Sequence, residues 1–108
     1  MNKVKLNIGL ENNTYEFADV LTFVNELATL NSFRQEVGEY NGEPERTFVA
    51  FLYSYHTEEF ILKQIELLTI AFTQDCIAVK INDVGYLVYN PEYKGEKFEF
   101  SNEYFIEP

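Results

Sequence analysis

The chain has 108 residues, of which 46% are hydrophobic, with ten Phe and eight Tyr. This length fits one domain, and this apolar content supplies a core and argues against intrinsic disorder. Eighteen acidic residues against eight basic ones give a net charge of −10. Such a charge disfavours direct binding to nucleic acid, because contact with a phosphate backbone needs a Lys/Arg surface.

Cysteine usage and hydropathy bear on the cellular compartment. Cys76 is the only cysteine, so no intrachain disulfide can form. The first ten residues alternate polar with apolar and lack the continuous apolar run of a signal peptide. No window approaches the roughly 18 apolar residues of a membrane span. We therefore expect a soluble cytoplasmic protein without a membrane partner.

The amino-terminal third predicts a strand, a turn, a second strand and a helix. Alternating Val4, Leu6, Ile8 and Leu10 indicate a half-buried strand, which ends at a turn over 11–13. Residues 14–17 fit either a short returning strand or the lead-in to a helix, and the alternation of Tyr15 and Phe17 favours the strand. A helix is predicted over 19–30, with Asp19 as its N-cap and an apolar face. That face consists of Val20, Phe23, Val24, Leu27 and Leu30.

Two further strands are predicted over 33–40 and 47–55. Asn41-Gly42 is a strong turn signal between them, and we expect residues 43–45 to lengthen the loop beyond a two-residue hairpin. The second of these strands is apolar on both faces. It therefore belongs in the interior of a sheet.

A second helix is predicted from Thr57 to residue 72. The Thr57 side chain is a good N-cap, and two glutamates follow it. Its predicted inner stripe is Ile61, Ile65, Leu68 and Phe72, widened by Leu62, Leu67 and Ala71. A hairpin follows, with strands over 76–81 and 85–89 around a turn at Asn82-Asp83. An edge strand over 97–100 is expected near the end.

These elements give the order ββαββαββ and define the fold class as α+β. We predict a mainly antiparallel sheet with two helices packed on one face, because strands and helices do not alternate strictly. The chain forms a single domain, 1–108. Residues 101–108 contain no predicted helix or strand, and we expect a loose tail there.

Residues capable of catalysis are few. His56 is the only histidine and adjoins the second helix, and Cys76 opens a predicted strand without a local motif that would activate it. The paired glutamates fall at loops and exposed positions, and no His/Cys/Asp cluster has the spacing of metal ligands. We predict a protein that is not an enzyme and has no catalytic residue, cofactor or metal site.

The last quarter of the chain combines tyrosines with glutamates. Tyr is enriched at protein interfaces because its ring is apolar and its tip is polar. An acidic, ring-bearing docking surface is therefore the candidate site. Its predicted partner-binding residues are Tyr86, Tyr89, Glu92, Tyr93, Glu96, Glu99, Glu103 and Tyr104.

Three runs of the sequence, 47–49, 74–79 (Gln-Asp-Cys-Ile-Ala-Val) and 85–88 (Gly-Tyr-Leu-Val), carry a resemblance. Over residues 45–90 the chain resembles small uncharacterised proteins of bacteriophages and mobile elements. In these a strand, a helix and a strand hairpin follow one another. The resemblance implies no catalytic residues. It implies a context in which small acidic proteins block host machinery.

Two classes of function remain open, together with a remote third. The first is a non-enzymatic acidic protein-binding module, such as a phage-type inhibitor whose carboxylates occupy a basic or nucleic-acid-binding groove of a host protein. The alternative is a structural or assembly protein, either a homo-oligomer or a virion component. An enzyme that uses Cys76 and His56 is the third. Convergence of the glutamates of 36–45 and 92–107 on one face would favour docking. An even spread would indicate that the charge serves solubility alone.

Overall fold

A computed structural model describes residues 1–10, 16–27 and 29–108. In chain order the elements are β1 (Asn2–Gly9), α1 (Phe17–Leu27), β2 (Thr29–Tyr40), β3 (Glu43–Ser54), α2 (Glu58–Ala71), β4 (Cys76–Ile81) and β5 (Val84–Tyr89), followed by a 3₁₀ turn (Asn102–Tyr104). No helix in this part of the chain is long and apolar enough to cross a membrane.

The five strands form one antiparallel sheet in the order β2-β3-β1-β4-β5. β1 occupies the centre and pairs with β3 on one side and β4 on the other, so that Leu6 lies opposite both Ala50 and Val79. β3 pairs with β1 and β2, which confirms the prediction that this two-sided apolar strand lies inside the sheet.

The core lies between one face of the sheet and the two helices. Strand side chains alternate between faces, and Leu6, Phe48 and Val79 all point toward the helix side and are fully buried. They pack with Val24 of α1 and Ile65 of α2 in one continuous cluster. The predicted fold class, an α+β antiparallel sheet with two helices packed on one face, is confirmed. We call the opposite surface the helix-free face.

Helix α2 has a defined cap at each end. The Thr57 side chain accepts the Phe60 N–H at its start, as predicted. At its end the Gln74 N–H bonds to the Thr69 carbonyl, and Thr73 has a φ of 51°, the left-handed residue of a Schellman motif. The predicted inner stripe is buried, but Leu67 is 47% exposed and Ala71 is also exposed, so the stripe is narrower than predicted.

Both hairpins turn on two residues with left-handed backbone. Asn41 and Gly42 have φ of 52° and 82°, and Asn82 and Asp83 have φ of 50° and 70°. Such turns match the right-handed twist of the flanking strands. The predicted longer loop over 43–45 is therefore wrong, because Tyr40 pairs directly with Glu43 and the strand begins there.

Three boundary predictions need correction. The first helix ends at Leu27, and Leu30 belongs to β2, because pairing of Leu30 with Leu52 extends the sheet at the expense of the helix. Phe17 begins α1 and therefore does not end a strand. The predicted turn over 11–13 and the first half of the predicted strand over 14–17 lie outside the described residues. Residues 97–100 form no strand. The observed order is thus βαββαββ.

Candidate functional site

The helix-free face carries the candidate site. Because side chains alternate along each strand, the positions that face away from the helices are those between the core residues. Near the middle of the sheet these are Asn7, Thr47, Ala78 and Leu87, from β1, β3, β4 and β5. They form the floor of a groove.

Residues 90–100, which we call the link, form one wall of this groove. The link contains no helix or strand and is held to β5 through the Tyr89 side chain. The Tyr89 hydroxyl accepts the Phe98 N–H at 2.7 Å, and the Tyr89 and Tyr93 rings stack with their centroids 5.3 Å apart. Phe100 packs directly on Gly85, where a Cβ atom would lie 2.2 Å from the ring. Glycine at this position therefore permits the close approach.

The last eight residues, which we call the 101–108 segment, continue this wall across the sheet. Asn7 is 7% exposed, and its side-chain amide binds the main chain of Ile106 twice. Its Nδ2 donates to the Ile106 carbonyl at 3.0 Å, and its Oδ1 accepts the Ile106 N–H at 2.9 Å. Phe105 is buried against Phe100. The segment is thus packed on the sheet.

Glu107 anchors the same segment by charge. Its carboxylate accepts from Lys5 at 3.2 Å and from Lys80, and its main-chain carbonyl accepts from Arg34. The hydrogen bonds from the two lysines, chiefly that from Lys80, hold the pKa of the Glu107 carboxyl below its ordinary value. This part of the face contains paired positive and negative charge.

The remainder of the face is an open groove of about 990 Å³. Its carboxylates are Glu45 from β3, Glu96 from the link and Glu103 from the 101–108 segment. Glu39 also borders the groove, but its side chain alternates with that of Tyr40 and faces the helix side. The tyrosines of the groove are Tyr40, Tyr89, Tyr93 and Tyr104. Among the described residues that line it, none carries a positive charge. Three of the nine glutamates in the two predicted regions, Glu45, Glu96 and Glu103, therefore meet around one concavity.

The hairpin tip closes one end of this groove. β2 and β3 extend beyond the end of β1, and the Tyr40 hydroxyl donates to Asp75, just before β4, at 2.5 Å. Burial raises the pKa of Tyr40 above its ordinary value, and the hydrogen bond to the Asp75 carboxylate raises it further. Loss of hydration and the charge of Asp75 also raise the pKa of Tyr93. These phenols remain protonated and act as donors at neutral pH.

Cys76 lines the groove from the first position of β4 and is half-buried. Burial raises the pKa of its thiol to about 11, and the nearby charges of Asp75 and Glu45 act in the same direction. A thiol with this pKa has very little thiolate at pH 7, so Cys76 is a weak nucleophile.

His56 lies at the other end of the sheet from Cys76. Its carbonyl accepts from Asn2, the first residue of β1, and its ring contacts Phe60 with centroids 4.2 Å apart. β1 pairs with β4 at Asn7 and Ala78, and Cys76 lies two residues further along β4. At ~3.3 Å per strand residue, Cys76 is therefore roughly 20 Å from the end of the sheet at which Asn2 binds His56. The structure does not bring these two side chains together.

The predicted partner-binding residues divide into two groups. Five of them line the groove: Tyr89, Tyr93, Glu96, Glu103 and Tyr104. Tyr86 points to the helix side, where its hydroxyl donates to Glu58 of α2 and its pKa is raised by that bond. Glu92 and Glu99 are exposed on the link but do not line the groove.

Sequence reasoning did not assign Tyr40 and Glu45 to this surface. The available signal was the position of these residues on both sides of the Asn41-Gly42 turn, which places them on one hairpin. It also missed Asn7 and Glu107, whose roles depend on contacts between the two ends of the chain.

The described residues contain no group of three or more His, Cys, Asp or Glu side chains that could hold a metal ion. No protein-family model, curated protein or solved structure matches the chain. Fold and site chemistry therefore carry the functional argument.

Proposed function

We propose that this protein is a non-enzymatic, acidic protein-binding module whose helix-free groove binds a basic segment of a partner protein. The observation that carries the proposal is the composition of the groove, in which three carboxylates and four tyrosines surround a cavity without a cationic lining residue among those described. A Lys- or Arg-rich segment has the complementary charge.

Charge complementarity of this kind acts on both encounter and specificity. A concave surface of one sign focuses the electrostatic field and raises the local concentration of a cationic ligand. It also repels nucleic acid, so the proposed ligand is a protein and not a phosphate backbone. A partner that itself binds nucleic acid through a basic surface fits this description, including a host protein blocked by a phage-type inhibitor.

The tyrosine rings supply a second recognition element. The Lys97 ammonium already lies over the Tyr89 ring, 5.7 Å from its centroid, and this ring stacks with that of Tyr93. A cation within about 6 Å of a ring centroid is attracted by the ring quadrupole. The stack therefore accepts an alkylammonium group, and we propose that a partner lysine or arginine uses the same kind of contact inside the groove.

The experiment compares two triple variants of equal net charge. Glu45→Gln, Glu96→Gln and Glu103→Gln remove groove carboxylates, whereas Glu59→Gln, Glu92→Gln and Glu99→Gln remove exposed carboxylates outside it. Binding of a labelled Lys/Arg-rich peptide is measured by fluorescence anisotropy at low and high salt.

The groove variant should bind about tenfold more weakly, since each exposed pair contributes roughly 0.2–1 kcal/mol. The control variant should lose much less, and the wild-type affinity should fall as salt increases. Equal losses in the two variants would show that only net charge matters. That result would remove the groove as the docking site.

Assembly into a homo-oligomer is the second candidate, and the edge of the sheet favours it. β2 is an edge strand of 12 residues, and two of its apolar side chains, Phe33 and Val37, are 48% and 73% exposed. Exposed edge strands are templates for pairing with another chain. Sedimentation of a clean monomer at millimolar concentration would argue against this candidate.

A further inference from the structure

The 101–108 segment is bound to the sheet as a peptide ligand would be bound. Its three anchors are a buried aromatic ring, a main-chain clamp and a charged side chain: Phe105, Ile106 and Glu107. The Asn7 amide satisfies both the N–H and the C=O of Ile106, as a neighbouring strand would. These contacts recognise an extended segment and not a helix.

The site that holds this segment also selects for charge. The chain has only eight basic side chains, and three of them, Lys5, Arg34 and Lys80, contact Glu107. The Lys80 ammonium additionally lies 5.0 Å from the centroid of the Phe105 ring. In a chain with a net charge of −10, this concentration of cations marks a site for an acidic, aromatic segment.

None of these contacts with the sheet requires that the segment and the site belong to the same chain. Each joins residues 25 to 102 positions apart, and the 101–108 segment is connected to the sheet by a link without helix or strand. Eight extended residues span up to about 27 Å at ~3.3 Å per residue. The segment is therefore long enough to leave its own sheet and reach another.

We propose that the 101–108 segment also binds in trans, on the Lys5–Asn7–Arg34–Lys80 site of a second copy, so that two copies exchange these segments. The second copy supplies the same ring, the same main-chain groups and the same carboxylate, and the site needs no change to accept them. Exchange of an identical element between protomers is a low-cost route to a dimer. This inference does not depend on the basic ligand proposed for the groove.

Within one chain the linked segment has an effective concentration of the order of millimolar, which favours the intramolecular form in dilute solution. The experiment removes this advantage with charge reversal. One variant carries Glu107→Lys, so that its segment is repelled by its own site. The other carries Lys5→Glu and Lys80→Glu, so that its site repels its own glutamate.

Mixing the two variants restores both charge complements, but only between copies. Analytical ultracentrifugation should show a heterodimer in the mixture at micromolar concentration, at least tenfold tighter than any self-association of either variant. The chain that combines all three substitutions restores the pairing within one copy, and it should return to a monomer. A mixture that sediments as its separate components would overturn the proposal.

A second measurement covers the case in which one variant does not fold alone, as judged by circular dichroism. A fluorescein-labelled peptide with the sequence of residues 101–108 is added to the full-length Glu107→Lys chain, whose own segment has lost its charged anchor. The affinity of the peptide for this variant should be about tenfold higher than its affinity for the wild-type chain. A peptide that carries Glu107→Gln should bind the variant more weakly. If this variant binds neither peptide, the segment does not act in trans.

Discussion

Replacing Asn7 with alanine tests how the wall of the groove is held. Asn7 lies in the central strand with a side chain that is 7% exposed, and both of its amide atoms bond to the main chain of Ile106. The substitution removes two hydrogen bonds and leaves two main-chain groups of Ile106 without these partners. It does not disturb the apolar core, which lies on the opposite face.

The expected cost follows from these contacts. Each hydrogen bond contributes about 1 kcal/mol net, and a main-chain group left unsatisfied in a partly buried position costs about 1–3 kcal/mol. Because water can reach part of the segment, we expect Asn7→Ala to lower the free energy of unfolding by about 2–3 kcal/mol. For a domain of this size that corresponds to a fall in Tm of roughly 10 °C.

Urea denaturation followed by circular dichroism measures the stability change, and hydrogen exchange of the Ile106 amide reports the local effect. Asn25→Ala is the control, because Asn25 is exposed on α1, and we expect a change within about 0.5 kcal/mol there. If Asn7→Ala costs no more than the control and the Ile106 amide keeps its protection, the amide clamp does not hold the wall.

Three further predictions concern single residues. Thr73 is a β-branched residue with a φ of 51° at the end of α2, where its backbone is strained. Thr73→Gly should therefore raise the free energy of unfolding by about 1 kcal/mol. A lower free energy of unfolding in the same urea assay would show that this strain is absent. The pKa of Glu107 is lowered in the folded chain, so its ion pairs stabilise the fold above the ordinary carboxyl pKa of 4.5 and lose this effect as the pH falls through the folded-state pKa. The stability difference between wild type and Glu107→Gln should therefore be constant near pH 7 and disappear in strong acid, and a difference that grows toward acid pH would contradict this sign. Burial raises the pKa of the Cys76 thiol to about 11, so Cys76 should react with iodoacetamide at pH 7.5 at least tenfold more slowly than a free thiol of pKa ~8.5, whereas a rate equal to that of glutathione would show an accessible thiolate.

The sequence predicts best those elements that local chemistry determines. Thr57 followed by two glutamates begins α2, and the four buried positions of its stripe follow at helical spacing. Asn82 and Asp83 tolerate left-handed backbone, which places the β4–β5 turn correctly. In each case the signal lies within a few residues of the feature that it predicts.

Elements that depend on pairing between distant strands could not be predicted in the same way. Leu30 fits the apolar face of a helix, yet it pairs with Leu52, because the hydrogen bonds of the sheet outweigh local helix propensity. The central position of β1 and the strand order β2-β3-β1-β4-β5 depend on contacts with no local signature. The clamp between Asn7 and Ile106 joins residues 99 positions apart.

The candidate site was partly accessible from the sequence. Tyr86 and Tyr89 lie an odd number of positions apart on one strand, so alternation requires them to face opposite sides of the sheet. Period-two reasoning was therefore sufficient to separate Tyr86 from Tyr89. The contribution of the β2–β3 hairpin had only the Asn41-Gly42 turn as a local signal, because the contact that brings Tyr40 to the groove joins it to Asp75, 35 positions away.

We propose that the acidic groove on the helix-free face is the docking surface for a basic protein segment. Titration of a Lys/Arg-rich peptide into the ¹⁵N-labelled chain, with mapping of the amide shifts, shows directly where such a segment binds. We expect the largest shifts at groove residues such as Gly38, Ala78 and Glu103, with little change on α2 at Glu59 or Glu66. Shifts spread evenly over all acidic surfaces, or concentrated on the helices, would contradict it.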